Sequence, residues 1–167
     1  MLHPAVSIRS FATHDAAPVL ALNNDNVPEL NELDAAEVAR LASLAEAALV
    51  AEVDGVFAGF CWVLGPNQPY GSLNYDWFSR QYTDFVYLDR IAVHPQFRRY
   101  GIGRAFYRML VQQFSGARPL LACEVNLRPR NDGSLRFHSR LGFVEVGQQE
   151  TDHGTLVSML AKHLDAA

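Results

Sequence analysis

The chain has 167 residues, 49% of them apolar and 19% charged. That composition belongs to a globular domain with a sizeable core and excludes a disordered chain. The longest near-unbroken apolar run, Val56 to Leu64, falls far short of the about 20 residues a membrane helix needs. Net charge is −4, yet residues 90–140 hold ten arginines against two acids, Glu124 and Asp132, a local +8 against −12 elsewhere. All basic residues but Lys162 are arginine, the side chain best shaped for phosphate oxygens. A basic segment in an acidic chain implies either a local anion site or a solvated helix face, not a nucleic-acid-binding surface.

No charged segment leads into an apolar one over Met1 to Phe11, so no secretory signal is read and the expected compartment is the cytoplasm. Cys61 and Cys123 each sit inside an apolar run. They read as small buried hydrophobes, with no metal site and no disulfide framework.

In chain order, Val6 to Arg9 alternates as a short strand. Thr13 can cap a helix over 14–23 with Val19, Leu20 and Leu22 on its apolar side. Asp34 caps a second helix carrying Val38, Leu41 and Leu44. Two apolar runs, 49–53 and 56–64, flank Asp54-Gly55, a strong hairpin signal. Residues 65–84 read as a polar, aromatic loop. Strand 85–93 ends at His94-Pro95, and 101–114 is a helix with Ile102, Phe106, Met109 and Leu110 on one side. Strand 120–125, a helix over 134–141 stopped by Gly142, and strands 143–146 and 155–160 complete the order βααββ–loop–βαβαββ. With no repeat or linker, this reads as one α/β domain over 1–167 with a mixed sheet.

The informative stretch is Leu88 to Arg104, LDRIAVHPQFRRYGIGR. A strand ends, an arginine-bearing loop follows, and a helix opens on Gly101-Ile102-Gly103. Glycines let backbone approach a ligand closely, and the free N–H groups at a helix start attract anions. With Arg98, Arg99 and Arg104 this reads as a pyrophosphate cradle. It lacks the Lys-Ser/Thr of a Walker loop and the three glycines of a Rossmann loop.

These residues resemble the GNAT superfamily of acyl-CoA N-acyltransferases. Its first signature is matched by Arg98-x-x-Gly101-x-Gly103. Its second is matched by Asn131, Ser134, Phe137 and Gly142-Phe143 at the family's spacing. The resemblance implies an α/β (α+β) single-domain fold: a central mixed, mostly antiparallel sheet, splayed between strands 85–93 and 120–125, with about four helices. It further implies acetyl-CoA as co-substrate. The pantetheine arm would pair with backbone near Ile91, Ala92 and Val93, and the pyrophosphate would rest on the N–H groups of Arg99, Tyr100, Gly101, Ile102, Gly103 and Arg104, with Arg98 adding charge. Asn131 would cap the following helix or touch the cofactor arm, with Ser134, Phe137 and His138 alongside.

His138 stands where the family usually carries a tyrosine that reprotonates the leaving thiolate. It either serves as that acid or hydrogen-bonds the cofactor. The base candidates are Asp89 and Glu124, each with a salt-bridge alternative: Asp89 with the neighbours of Arg90, Glu124 with Arg128 or Arg130; proton transfer through water, with no single base, is the further alternative. The acceptor is placed against the 65–84 segment, with Tyr75, Trp77, Phe78 and Asn24 as substrate contacts; a loop pinned by its own aromatics is the alternative. The resulting expectation is an N-acetyltransferase moving an acetyl group from acetyl-CoA to a primary amine, on a small molecule or a protein. It needs no metal and no membrane, with a homodimer as one open assembly state. The competing expectation is a non-catalytic CoA-binding module.

Overall fold

The computed structural model describes residues 3–151 and 153–165. Its seven strands are hydrogen-bonded in the order β1-β2-β3-β4-β5-β7-β6, and the chain falls into two compact units.

The first unit ends its leading segment at Leu64 and adds Leu88–Gln113. It contains β1 (Val6–Ser10), α1 (Ala16–Asp25), α2 (Ala35–Leu44), β2 (Ala47–Val53), β3 (Val56–Leu64), most of β4 (Val86–Val93) and nearly all of α4 (Ile102–Phe114). β1 pairs antiparallel with β2 from Val6↔Val53 to Ser10↔Leu49, and β2 pairs antiparallel with β3. The hairpin forms at the expected place. Asp54 and Gly55 both take positive φ, +49° and +80°, the backbone a two-residue turn demands. Gly59 brings β3 against β4: a Cβ there would stand 2.6 Å from the Ala92 carbonyl oxygen. The His94 N–H donates to Ala58 O at 2.7 Å on the same side.

Asp34 caps α2 as the sequence implies, accepting the Glu37 N–H at 2.8 Å. The helix at 14–23 starts later than expected. A 3-10 turn, Thr13–Asp15, precedes α1. Asp15 organises it in place of Thr13, accepting the Ala12 N–H at 2.8 Å while the Arg9 guanidinium grips both its oxygens at 2.7 and 2.8 Å. In α4, Ile102, Phe106 and Leu110 are all buried, a four-residue spacing that turns one helix side to the core.

The second unit comprises Gly65–Tyr87 and the chain from Phe114 onward. It contains α3 (Leu73–Gln81), the first residues of β4, then β5 (Leu120–Arg128), α5 (Asp132–Arg140), β6 (Val144–Glu150) and β7 (Leu156–His163). β4 and β5 pair in parallel at Val86↔Leu121 and Tyr87↔Ala122. β5 and β6 each pair antiparallel with β7. The sheet is therefore mixed and mostly antiparallel.

The segment expected to be a loop holds α3. Ser72 caps it, accepting the Tyr75 N–H at 3.3 Å, and Tyr75 and Phe78, three apart, bury its inner side. Its aromatics are spaced for a helix that packs, a period hidden among the polar residues around them. α3 brings the α-helices to five among the described residues. The later elements also run longer than expected: β5 reaches Arg128, α5 begins at Asp132, and β6 and β7 extend to Glu150 and His163. Cys61 and Cys123 are both buried, and burial pushes the Cys61 thiol far up. Among the described residues no helix is long and apolar enough to cross a membrane.

Candidate active site

In the first unit, β4 ends at Val93 and His94 caps a 3-10 turn, Pro95–Phe97, its Nδ1 accepting the Gln96 N–H at 3.2 Å. The Tyr100 N–H donates to Phe97 O at 3.2 Å. That donor, expected to face phosphate, is spent inside the turn. Gly101 takes φ +73°, which side-chain-bearing residues rarely adopt, and its carbonyl accepts the Ala105 N–H at 3.0 Å. The N–H groups of Ile102, Gly103 and Arg104 thus form the open first turn of a 13-residue helix. Ile102 is 1% exposed, so it contributes backbone alone.

Arg98, Arg99 and Arg104 are exposed and have no ion pair among the described residues. Arg9, Arg90, Arg118, Arg128 and Arg130 are each matched to a carboxylate. Uncompensated guanidinium charge and helix-start donors coincide on one stretch of chain, an arrangement chemically suited to an anion.

On β4, alternation puts Asp89, Ile91 and Val93 on one face and the buried Arg90 and Ala92 on the other. Asp89 is ion-paired with Arg90 Nε at 2.9 Å, both side chains almost fully enclosed. Arg90 Nη1 donates to Asn23 Oδ1 at 2.7 Å, and Asn23 Nδ2 donates to Asn31 O and Asn24 Oδ1. The salt bridge of Asp89 is made with Arg90 itself, not with the arginine's neighbours. Asn24, expected as a substrate contact, also ties the loop: its Nδ2 donates to Leu33 O at 2.9 Å and its Oδ1 accepts the Leu33 N–H at 3.0 Å.

In the second unit, Glu124 on β5 takes the Tyr87 hydroxyl at 2.9 and 2.8 Å from its two carboxylate oxygens. The arginines expected as alternative partners go elsewhere, Arg128 to Glu150 at 2.9 Å and Arg130 to Asp132. Tyr87 escaped the sequence reading. Its signal was the strand alternation that also aligns Asp89, Ile91 and Val93.

Asn131 caps α5, its Oδ1 accepting the Ser134 N–H at 3.1 Å. Ser134 in turn holds His138, whose Nδ1 lies 2.7 Å from the Ser134 carbonyl and 3.3 Å from its hydroxyl. The ring is buried edge-on against Phe137 and Phe143, at centroid distances of 5.4 and 5.3 Å. A nitrogen that close to a carbonyl carries the proton, which leaves the lone pair on Nε2. Burial lowers the imidazole pKa, and the Ser134 carbonyl opposes this less strongly. Near neutral pH His138 is therefore a neutral ring with its lone pair on Nε2.

Of the three aromatics expected against the acceptor, Tyr75 and Phe78 are enclosed in the core, while Trp77 stays partly exposed. Tyr75 is 2% exposed, donates its hydroxyl to Gly65 O at 2.6 Å and accepts the Gln68 N–H at 3.0 Å. Burial raises its pKa. Phe78 is fully buried against Tyr82, Phe85 and Tyr87. Trp77 packs on Gly147 of β6. The aromatics build the core of this unit, because large rings with satisfied hydroxyls bury more favourably than they solvate. A cavity of about 580 Å³ lined by Leu127, Leu135, Glu145 and Ser158, among others, contains none of the candidate catalytic or cradle residues.

The sequence matches the family model described as the Acetyltransferase (GNAT) family over residues 18–143. The chain belongs to the GNAT acetyltransferase family. Solved structures share its fold. The ribosomal-protein-S18-alanine N-acetyltransferase from Escherichia coli has TM-score 0.74 at 19% identity, covering 98% of this chain and 96% of that one. Ard1 from Thermoplasma volcanium has TM-score 0.75 at 19% identity, covering 96% and 98%. The yncA protein from Salmonella typhimurium, solved with its cofactor acetyl-CoA, has TM-score 0.70 at 19% identity, covering 98% and 96%. Among curated proteins no sequence matches. The GNAT assignment accounts for the Arg98-x-x-Gly101-x-Gly103 loop and for the Asn131-to-Phe143 signature, both inside the matched region.

Proposed function

We propose that this GNAT protein transfers an acetyl group from acetyl-CoA to a primary amine, by direct attack of the amine in a ternary complex. The observation that carries the reading is the cradle. Three exposed arginines without counter-ions stand beside an open helix start, as a diphosphate requires. The Ile102, Gly103 and Arg104 N–H groups take the diphosphate oxygens, and Arg98, Arg99 and Arg104 balance its charge. Backbone near Ile91 and Val93 pairs with the pantetheine amides, and the Val93 N–H polarises the thioester carbonyl. The yncA structure with acetyl-CoA supports the choice of acyl donor.

Glu124 is the base. It is half-buried and hydrogen-bonded to a phenol, whereas the Asp89 carboxylate is held by Arg90. His138, neutral and accepting at Nε2, positions the donor arm and does not protonate the thiolate; that proton returns from solvent or from the attacking amine. The chain works as a single domain over 1–167 in the cytoplasm. Its acceptor is a small amine or a protein amino group.

The second reading, a non-catalytic CoA-binding module, draws on the histidine at the family's tyrosine position. The test combines thiol release and binding. Acetyl-CoA with a panel of amines should release free CoA thiol, while the module reading expects none. Gly103→Asp should raise the Kd for CoA at least about tenfold with unchanged circular dichroism, since it sets a carboxylate among phosphate oxygens. Unchanged affinity would remove the cradle from the site.

A further inference from the structure

We infer that Tyr87 is a positioning residue that orients the Glu124 carboxylate and keeps it ionised for proton transfer. The inference rests on the reading of Glu124 as the base. Tyr87 pairs with Ala122 across the parallel ladder, and Glu124 lies two residues beyond Ala122 on the same strand face. This register places one phenolic O–H between both carboxylate oxygens, at 2.9 and 2.8 Å. A donor shared by the two oxygens fixes the rotation of the carboxylate and stabilises its charged form.

The phenol is itself held. Tyr87 is 1% exposed, and its ring packs against Tyr75 and Phe78 of α3 at 5.6 and 5.8 Å. A buried tyrosine commonly spends its hydroxyl on a backbone carbonyl, as Tyr75 does on Gly65. Tyr87 directs its own to an ionisable group.

Several polar and charged groups on the neighbouring elements have partners of their own. From α3, the Tyr75 hydroxyl is occupied by Gly65 and Gln68. From β7, the register partner of Glu124 is the apolar Met159. Further along β4, Asp89 is matched by Arg90. Beyond β5, Arg128 and Arg130 are matched by Glu150 and Asp132. The α3 insertion thereby gains a role: it clamps the phenol that clamps the carboxylate.

The experiment uses the full chain with Tyr87→Phe, which keeps the packed ring and removes the donor, and Glu124→Gln. The Glu124 side-chain carboxyl is followed by carbon-13 NMR through a pH titration. Tyr87→Phe is expected to move its midpoint upward by about one pH unit, because the anion loses a hydrogen bond. The acidic limb of the kcat/KM profile is expected to move with it, while CoA affinity stays at the wild-type value. An unmoved carboxyl midpoint overturns the inference, whatever Glu124 does in turnover. Wild-type kcat/KM across pH in Glu124→Gln overturns the base reading instead, and the NMR midpoint still decides the clamp.

Discussion

Trp77 lies against the bare α-carbon of Gly147. A Cβ added there would meet the indole ring, 2.8 Å from Cη2 and closer still to Cζ2. Gln149 of β6 adds a hydrogen bond to Asn74 at 2.8 Å, so α3 docks on β6 by one ring and one amide. Gly147 therefore serves close approach, not a turn.

Gly147→Ala should push the indole away and cost about 1–3 kcal/mol, the usual penalty of overpacking. Urea unfolding checks the loss. Trp77→Ala in the same background should lose less than it does in the wild type, because the contact is already broken.

Tyr75→Phe should cost about 1–2 kcal/mol, since Gly65 O loses its donor and the Gln68 N–H loses its acceptor. It should leave the KM of the amine unchanged, as a side chain that buried cannot touch an acceptor. A raised amine KM with unchanged Tm would return Tyr75 to the substrate wall.

His138 carries a lowered pKa in the folded state, caused by burial. The unfolded chain therefore binds the proton first as pH falls. The stability this group contributes is fully present above the ordinary histidine value of 6.5 and is lost as pH drops through the folded value. His138→Phe should flatten the decline of Tm below pH 6.5. The same variant should keep kcat within a few-fold of wild type; a loss of about 10² or more would restore the general-acid role.

Asp15 shows the opposite linkage. The Arg9 guanidinium holds its carboxyl below the ordinary value, desolvation working against this. Its stabilisation is present above that ordinary value and disappears as pH falls through the lowered one. Asp15→Asn should cost about 2 kcal/mol at neutral pH, less than a fully enclosed pair because Arg9 is one-third exposed. The variant's deficit should shrink in strong acid, as thermal unfolding at pH 7 and pH 2.5 would show.

Much of the site was legible in the sequence where the chemistry is local. The Asp34 cap, the Asp54-Gly55 turn, the Asn131 cap and the glycine-bounded start of α4 all involve groups within four residues of each other. Short-range hydrogen bonding and φ preference therefore announce them. The arginine excess in 90–140 was equally legible. Its division was not: Arg90 is buried against Asn23, 67 residues away, while Arg98, Arg99 and Arg104 stay exposed.

By itself the sequence determined the order of the elements, bar the α3 helix, and the two GNAT signatures. These depend on periodicity, caps and backbone freedom, which act along the chain. Tertiary structure alone decided which carboxylate is held by a cation and which by a phenol, since Asp89 meets Arg90 while Glu124 meets Tyr87, 37 residues distant. It likewise decided that Tyr75 and Phe78 are core. Sheet register and helix docking choose the partner of each side chain across space, and a buried ring or charge takes its character from that partner.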